Sequence, residues 1–309
     1  MIKITGLSKR YGRIVAVDGV TFTCMPGTVT GFLGPNGAGK TTTLRALTGL
    51  TRPDAGQATI AGHRFAELLN PARVAGTLLD ASALHAGRTG RATLRIAATM
   101  TGMPSRRVDE VLAAVGLTGA ADRRAGTYSA GMRQRLGLAQ ALIAEPGVLI
   151  LDEPATGLDP EGIAWIRGLL RGFADRGGTV LLSSHLLAEV QATADHLVVI
   201  NDGRIVAAGA LSDLLAASGL IVRAGDQTAL RRLLAHHAVP FTHAPGGALH
   251  VDTSTGVSAA QIAALAVTAG LSLLELRPAE HAELEDLFFT LTSPAAGTGG
   301  TTPTPEVPR

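Results

Sequence analysis

The sequence predicts an α/β chain in which helices wrap a parallel sheet, and three observations predict it. Val29–Leu33 and Val148–Leu151 are continuous apolar runs, the pattern of strands buried on both faces. Thr179–Ser183 and His196–Ile200 look similar. Between these runs, as far as about Leu215, apolar residues recur at helical spacing. The chain has 309 residues, 46% apolar and 17% charged, with a mean hydropathy of +0.27. That is enough for one large domain or two, and it excludes a disordered or collagen-like chain.

Taken in order, Met1-Ile2-Lys3-Ile4 has no apolar h-region behind its charge, so no signal peptide is expected. Val29–Leu33 runs into Gly34-Pro35-Asn36-Gly37-Ala38-Gly39-Lys40-Thr41-Thr42, which fits G-x-x-x-x-G-K-[ST]. The glycines let the backbone curl so that successive N–H groups face phosphate oxygens, and the following helix (Leu44, Leu47, Leu50) offers its positive end. Lys40 suits the β/γ-phosphates and the Thr41 hydroxyl suits Mg²⁺. A plain Gly-rich turn is the alternative in a chain with 38 glycines; the strand before and the helix after favour nucleotide.

Val74–Leu79 is the next candidate strand, and it ends in Asp80. Gly90–Pro146 has almost no strand signal. Leu94, Ile96 and Met100, then Val108, Val111, Leu112 and Val115, suggest helices, so a helical subdomain is expected over about residues 90–146. Met132, Leu136, Ala139 and Ile143 make a helical stripe that puts Ser129 at an N-cap. A small hydroxyl and the Gly131 amide at a helix N-terminus form an anion site, although ordinary capping alone would also place Ser129 there.

The run Val148–Leu151 continues into Asp152-Glu153-Pro154, setting two carboxylates at a strand end where ligands sit in open α/β sheets. Asp152 suits a Mg²⁺ shell through water, and Glu153 suits polarising an attacking water. By themselves the two read equally well as solvated acids; beside a phosphate loop they read as chemistry. His185 follows the apolar strand Thr179–Leu182. A lone histidine is commonly structural, but here contact with a γ-phosphate and the attacking water is expected.

From Gly219 to about Thr292 the pattern is strand (Leu220–Arg223), helix (Thr228–His237), strand (Val239–Thr242) and strand (Ala248–Asp252). Helix (Ser258–Ala269), strand (Leu271–Leu276) and a closing helix from Glu280 follow, an order like a ferredoxin-like βαββαβ unit. Thr253–Leu274 carries no charge, but its small and polar residues fit a helix and turn better than a membrane span, so no crossing is expected. His236, His237, His243 and His250 match no metal-ligand spacing. The single Cys24 excludes an internal disulfide and reads as a small strand residue in a reducing compartment. Residues 1–219 hold 22 basic and 17 acidic groups, and residues 220–309 hold 5 and 8. Neither balance suits a phosphate-coating surface, so nucleic acid is not an expected partner.

Further motifs fall in a fixed order. Lys9-Arg10-Tyr11-Gly12 precedes the phosphate loop; Tyr128-Ser129-Ala130-Gly131-Met132, with Arg133-Gln134-Arg135, precedes Asp152-Glu153; Gly157-Leu158-Asp159-Pro160 and Ser183-Ser184-His185 follow. Over roughly Ile2–Leu215 the chain resembles the ATP-binding cassette (ABC) ATPases: aromatic A-loop, P-loop, a variant of the L-S-G-G-Q signature, D-loop and switch histidine. The resemblance implies a P-loop NTPase core of the ABC type with a helical subdomain (residues 1–218). A small α+β accessory domain (219–292) and a disordered Pro/Gly/Thr-rich tail (293–309) would follow.

By that resemblance, ATP would be held by Tyr11, which stacks on adenine, by Ala16 nearby, and by Gly34 through Thr42. Ser129, Gly131 and Gln134 would reach the nucleotide of a second protomer, and Asp159 would serve the D-loop. Thr41, Asp152 and Asp80 would hold Mg²⁺, with Asp80 standing where the family has its Q-loop glutamine. Ala130 and Met132 also depart from the family's glycine and glutamine. Lys40, Glu153 and His185 would carry hydrolysis. The partners implied are an integral membrane permease on a separate chain and a second copy of the ATPase, at the cytoplasmic face of the cell membrane. One cassette followed by a C-terminal domain ending Leu284-Glu285-Asp286-Leu287-Phe288-Phe289 resembles the drug-resistance and antibiotic-efflux branch, and also cassettes of unassigned exporters, which implies export of a drug, antibiotic or lipid-like compound; an importer motor is the runner-up. A ribosome-acting cassette protein usually carries two cassettes, and a DNA-repair ATPase a coiled coil or zinc cysteines; this sequence has one P-loop and one cysteine.

Overall fold

The computed structural model describes residues 1–215, 219–253, 257–278 and 284–292; the expected tail and the expected helix start at Glu280 lie outside them. The chain opens as a hairpin of β1 (Ile2–Tyr11) and β2 (Ile14–Cys24), then forms β3 (Val29–Leu33), α1 (Lys40–Leu47) and β4 (Ala55–Ile60). One helical turn, α2 (Pro71–Val74), leads into β5 (Ala75–Leu78) and the helices α3 (Gly90–Thr101), α4 (Arg106–Ala114) and α5 (Ala130–Leu142). Next come β6 (Val148–Asp152), α6 (Pro160–Asp175), β7 (Thr179–Ser183) and α7 (Leu187–Gln191). Then β8 (His196–Asn201), β9 (Arg204–Ala210) and α8 (Leu211–Leu215) complete this part. The remainder is β10 (Gly219–Ala224), α9 (Gln227–His236), β11 (Phe241–His243), β12 (Leu249–Asp252), α10 (Ala259–Thr268), β13 (Leu273–Pro278) and α11 (Leu284–Thr292).

The central sheet has the order β5-β6-β7-β3-β8-β9, parallel except for β9. Its apolar runs work as two-faced strands. Phe32, Ile150, Leu181 and Val198 face one core, while Val29, Leu149, Val180 and Leu197 face the other. The first core is closed by α1 and a second sheet, β2-β1-β4, whose alternating Ile2, Ile4, Val20 and Phe22 point inward. This antiparallel sheet lies within the zone where the sequence predicts a parallel one. Its period-2 alternation is the signal that separates the two.

The helical subdomain has its own core, built from Leu94, Ala98, Val108, Val111, Leu112, Leu136, Ala139 and Ile143. Of the residues that suggest α3, Leu94 is buried and, with Ala98, sets the inner face, while Ile96 and Met100 are exposed. Leu50 likewise lies past α1, which stops at Thr48 with Gly49 at φ +73°. Helix α5 joins the two bodies: Leu136, Ala139 and Ile143 enter the helical core, while Leu138 and Ala141 pack under the sheet.

The last sheet has the order β11-β12-β10-β13 with every pair antiparallel, the split βαββαβ arrangement, and Leu230, Leu234 and Ile262 of α9 and α10 fill its core. Among the described residues, helix α11 contributes none to this sheet's core. Leu284, Leu287, Phe288 and Leu291 join the central core, and the Leu284 N–H donates to Gln191 Oε1 of α7 at 3.0 Å. Among the described residues, no helix is long and apolar enough to cross a membrane.

Candidate functional site

The site is built at the C-terminal ends of β3, β6 and β7, three adjacent parallel strands. Beyond β3 the chain must turn tightly against β8, and glycine is required at two points. A Cβ on Gly34 would stand 2.3 Å from the Ile200 carbonyl oxygen, and one on Gly39, at φ +110°, would stand 2.4 Å from that of Ala16. Ala16 therefore presses its backbone on the loop, while Gly203 N–H donates to Ala38 O at 3.0 Å from the other side. Residues 34 to 42 end in α1, whose first N–H groups open toward the loop.

Lys40 is 7% exposed, and its ammonium donates to the carbonyls of Gly34 (2.6 Å) and Pro35 (3.2 Å). Burial pushes its pKa below the usual lysine value, with the negative charges of Glu153 and Asp152 pulling the other way. A cation closed in a loop by its own carbonyls is poised to exchange them for a stronger anion.

Thr41 Oγ1 donates to Asp152 Oδ2 at 2.8 Å, and Ser183 Oγ donates to Asp152 Oδ1. Asp152 and Ser183 are register partners across β6 and β7, which puts both at one level of the sheet. The sequence places Ser183 at a strand end beside His185 without a partner; pairing the two strand ends supplies Asp152.

Glu153 follows in the left-handed region, at φ +51°. A non-glycine residue there costs on the order of 1–3 kcal/mol and persists only when its surroundings hold it. Its N–H donates to the Ser183 carbonyl and to Ser183 Oγ, both at 3.2 Å. Its carboxylate lies 2.6 Å from His185 Nδ1 and accepts the His185 backbone N–H at 3.3 Å. The carboxylate–imidazole pair is partly open to solvent.

Ser129 caps α5, its Oγ accepting the Met132 N–H at 3.2 Å. A Cβ on Gly131 would come within 3.3 Å of Leu158, so this helix start abuts the 157–160 loop, where Asp159 caps α6 by accepting the Gly162 N–H at 2.8 Å. Gln134 departs from expectation. It is buried, and its Nε2 donates to the Glu153 carbonyl of the same chain at 3.1 Å, so its side chain is not turned outward toward a second protomer. Tyr11 ends β1, 48% exposed, with the Lys9 ammonium 5.5 Å from its ring centroid. Asp80 lies just past β5, three strands from β3, in a groove shared with Phe65, Thr77 and Gln140.

A phosphate-loop turn, a hydroxyl–carboxylate chain and a Glu–His pair at one end of a parallel sheet place this chain among the P-loop nucleotide hydrolases. The comparisons narrow this. The family model described as "ABC transporter" matches residues 17–156. The bacitracin transport ATP-binding protein of Bacillus licheniformis is 42% identical over 67% of this chain and 68% of its own length. The daunorubicin resistance ATP-binding protein of Streptomyces coeruleorubidus is 41% identical over 71% of each. The Nod factor export ATP-binding protein I of Burkholderia pseudomallei is 38% identical over 93% of this chain and 95% of its own. Among solved structures, an ATP-binding subunit of an ABC transporter superposes with a TM-score of 0.64 at 30% identity, covering 69% of this chain and 91% of that one. A dimeric bacterial ABC transporter cassette shares the fold, with a TM-score of 0.62 at 22% identity over 68% of this chain and 99% of its own. The chain belongs to the family of ABC transporter ATP-binding proteins, and its chemistry is ATP hydrolysis.

Proposed function

We propose that this chain is the ATP-hydrolysing subunit of an exporter whose membrane-spanning permease is a separate chain, and that it works at the cytoplasmic face of the cell membrane. Relatives named for daunorubicin resistance and Nod factor export support export over import. The observation that carries the reading is the convergence at one sheet end of Lys40, the Thr41–Asp152–Ser183 chain and the Glu153–His185 pair.

In this reading the loop amides from Gly34 to Thr42 take the phosphates, Tyr11 stacks on adenine beside Ala16, and Lys40 leaves its carbonyl partners for the β/γ-phosphates. The hydroxyl of Thr41 and the carboxylate of Asp152 are hard oxygen donors already within hydrogen-bond distance of each other, a set that fits Mg²⁺. Asp80 would add a third such oxygen. Bound there, Mg²⁺ would offset phosphate charge. Glu153 orients a water whose oxygen bonds to the γ-phosphorus as the bridging oxygen departs with ADP. His185 fixes the carboxylate and offers its other ring nitrogen toward the γ-phosphate. Two copies of the chain pair so that Ser129 and Gly131 of one meet the nucleotide of the other, with Asp159 in the loop between.

Steady-state ATPase measurements on the full chain test this. Lys40→Ala abolishes hydrolysis, because phosphate charge loses its cation in a partly dry site. A variant hydrolysing at the wild-type rate would sink the reading. A Mg²⁺ titration of Asp80→Gln in the same assay shifts the half-maximal concentration; superimposable curves would remove Asp80 from the metal shell.

A further inference from the structure

Gln134 is the part of the signature segment that the reading above leaves without a task. It lies in the second turn of α5, 6% exposed, with its amide on the Glu153 carbonyl. Glu153 holds an unfavourable backbone conformation, so something must keep it there. The partners come from three directions: Ser183 of β7 takes its N–H, His185 takes its carboxylate, and Gln134 of α5 takes its C=O. Without the last contact, the peptide following Glu153 is free to rotate toward an ordinary conformation. The carboxylate would then swing away from His185 and from the water it must aim.

We infer that Gln134 is a positioning residue for hydrolysis: it donates to the Glu153 carbonyl and thereby aims the Glu153 carboxylate. It also makes α5 a rigid link between Ser129 and Gly131 at the helix start and the base of the same chain. A copy whose signature end is engaged would therefore have its own Glu153 held in line. The inference rests on Glu153 being the water-orienting carboxylate.

The test uses the full chain and measures kcat, KM for Mg-ATP, affinity for a non-hydrolysable ATP analogue, and melting temperature. Gln134→Met keeps the side-chain length and removes the donor. It lowers kcat roughly 10- to 100-fold, the scale of a reacting group misplaced by about an ångström, with KM and analogue affinity unchanged. Gln134→Glu has a donor only while protonated. Its kcat relative to wild type is therefore high in mildly acidic buffer and falls toward the methionine level as pH rises.

If Gln134→Met does not fold, that pH-dependent ratio decides alone. A wild-type kcat for Gln134→Met overturns the inference. So does a kcat loss matched by lost analogue affinity, or a ratio of Gln134→Glu kcat to wild-type kcat that does not change with pH. A wild-type chain without ATPase activity, by contrast, overturns the reading of Glu153 itself.

Discussion

Lys40 is one of only three lysines in the chain, with Lys3 and Lys9, so its ammonium can be followed individually by NMR of the side-chain carbons. Burial depresses its pKa below the ordinary 10.5, and the charge of Glu153 partly restores it. Glu153→Gln removes that charge, so the Lys40 titration moves further down. Between the folded pKa and the unfolded one, only the unfolded chain keeps the proton, so stability rises with pH across that window. In the variant the window opens at lower pH. A Lys40 midpoint equal to or above the wild-type value would contradict the electrostatic coupling of these residues. At this scale the sequence was informative wherever chemistry is local: the loop from Gly34 to Thr42 and the pair Asp152-Glu153 are contiguous and speak for themselves. It named Ser183 only as part of the switch motif, and gave Gln134 no partner within its own chain. Each meets Asp152 or Glu153 only through strand pairing or helix docking, which no local pattern encodes.

Helix α11 shows how an element can be legible while its place is not. The apolar positions Leu284, Leu287, Phe288 and Leu291 announce a one-sided helix, but a stripe says only that a face is buried, not against what. The structure sets this face on α7 and β8, with the Leu284 N–H on Gln191, and not on the sheet that precedes it in sequence. Leu284 is fully buried. Leu284→Ala should cost about 2–5 kcal/mol in denaturant unfolding, the range for truncating a leucine in a packed core. Amide exchange should accelerate in α7 and β8 while β10 to β13 keep their protection. Acceleration confined to β10–β13 would mean that α11 belongs to the C-terminal sheet. Helix α3 repeats the point: Leu94, Ile96 and Met100 suggest the helix, and its packing beside α4 and α5 buries Leu94 with Ala98 while Ile96 and Met100 stay exposed.

At the scale of the whole molecule, the proposed mechanism divides the catalytic arrangement of each chain into two halves. Lys40, Asp152, Glu153 and His185 occupy one; the α5 start with Ser129 and Gly131 occupies the other. A complete site in the proposed mechanism therefore needs two copies, and ATP is the group that both must touch. Glu153→Gln keeps the phosphate contacts and removes the carboxylate proposed to orient the attacking water, so bound ATP is expected not to be consumed. Size-exclusion chromatography with multi-angle light scattering on this variant is the most direct measurement. The account predicts a shift from monomer to dimer on adding ATP, with two ATP per dimer, and no shift when Ser129→Arg is added to the same chain. A Glu153→Gln protein that stays monomeric across a wide range of ATP and protein concentrations would contradict it.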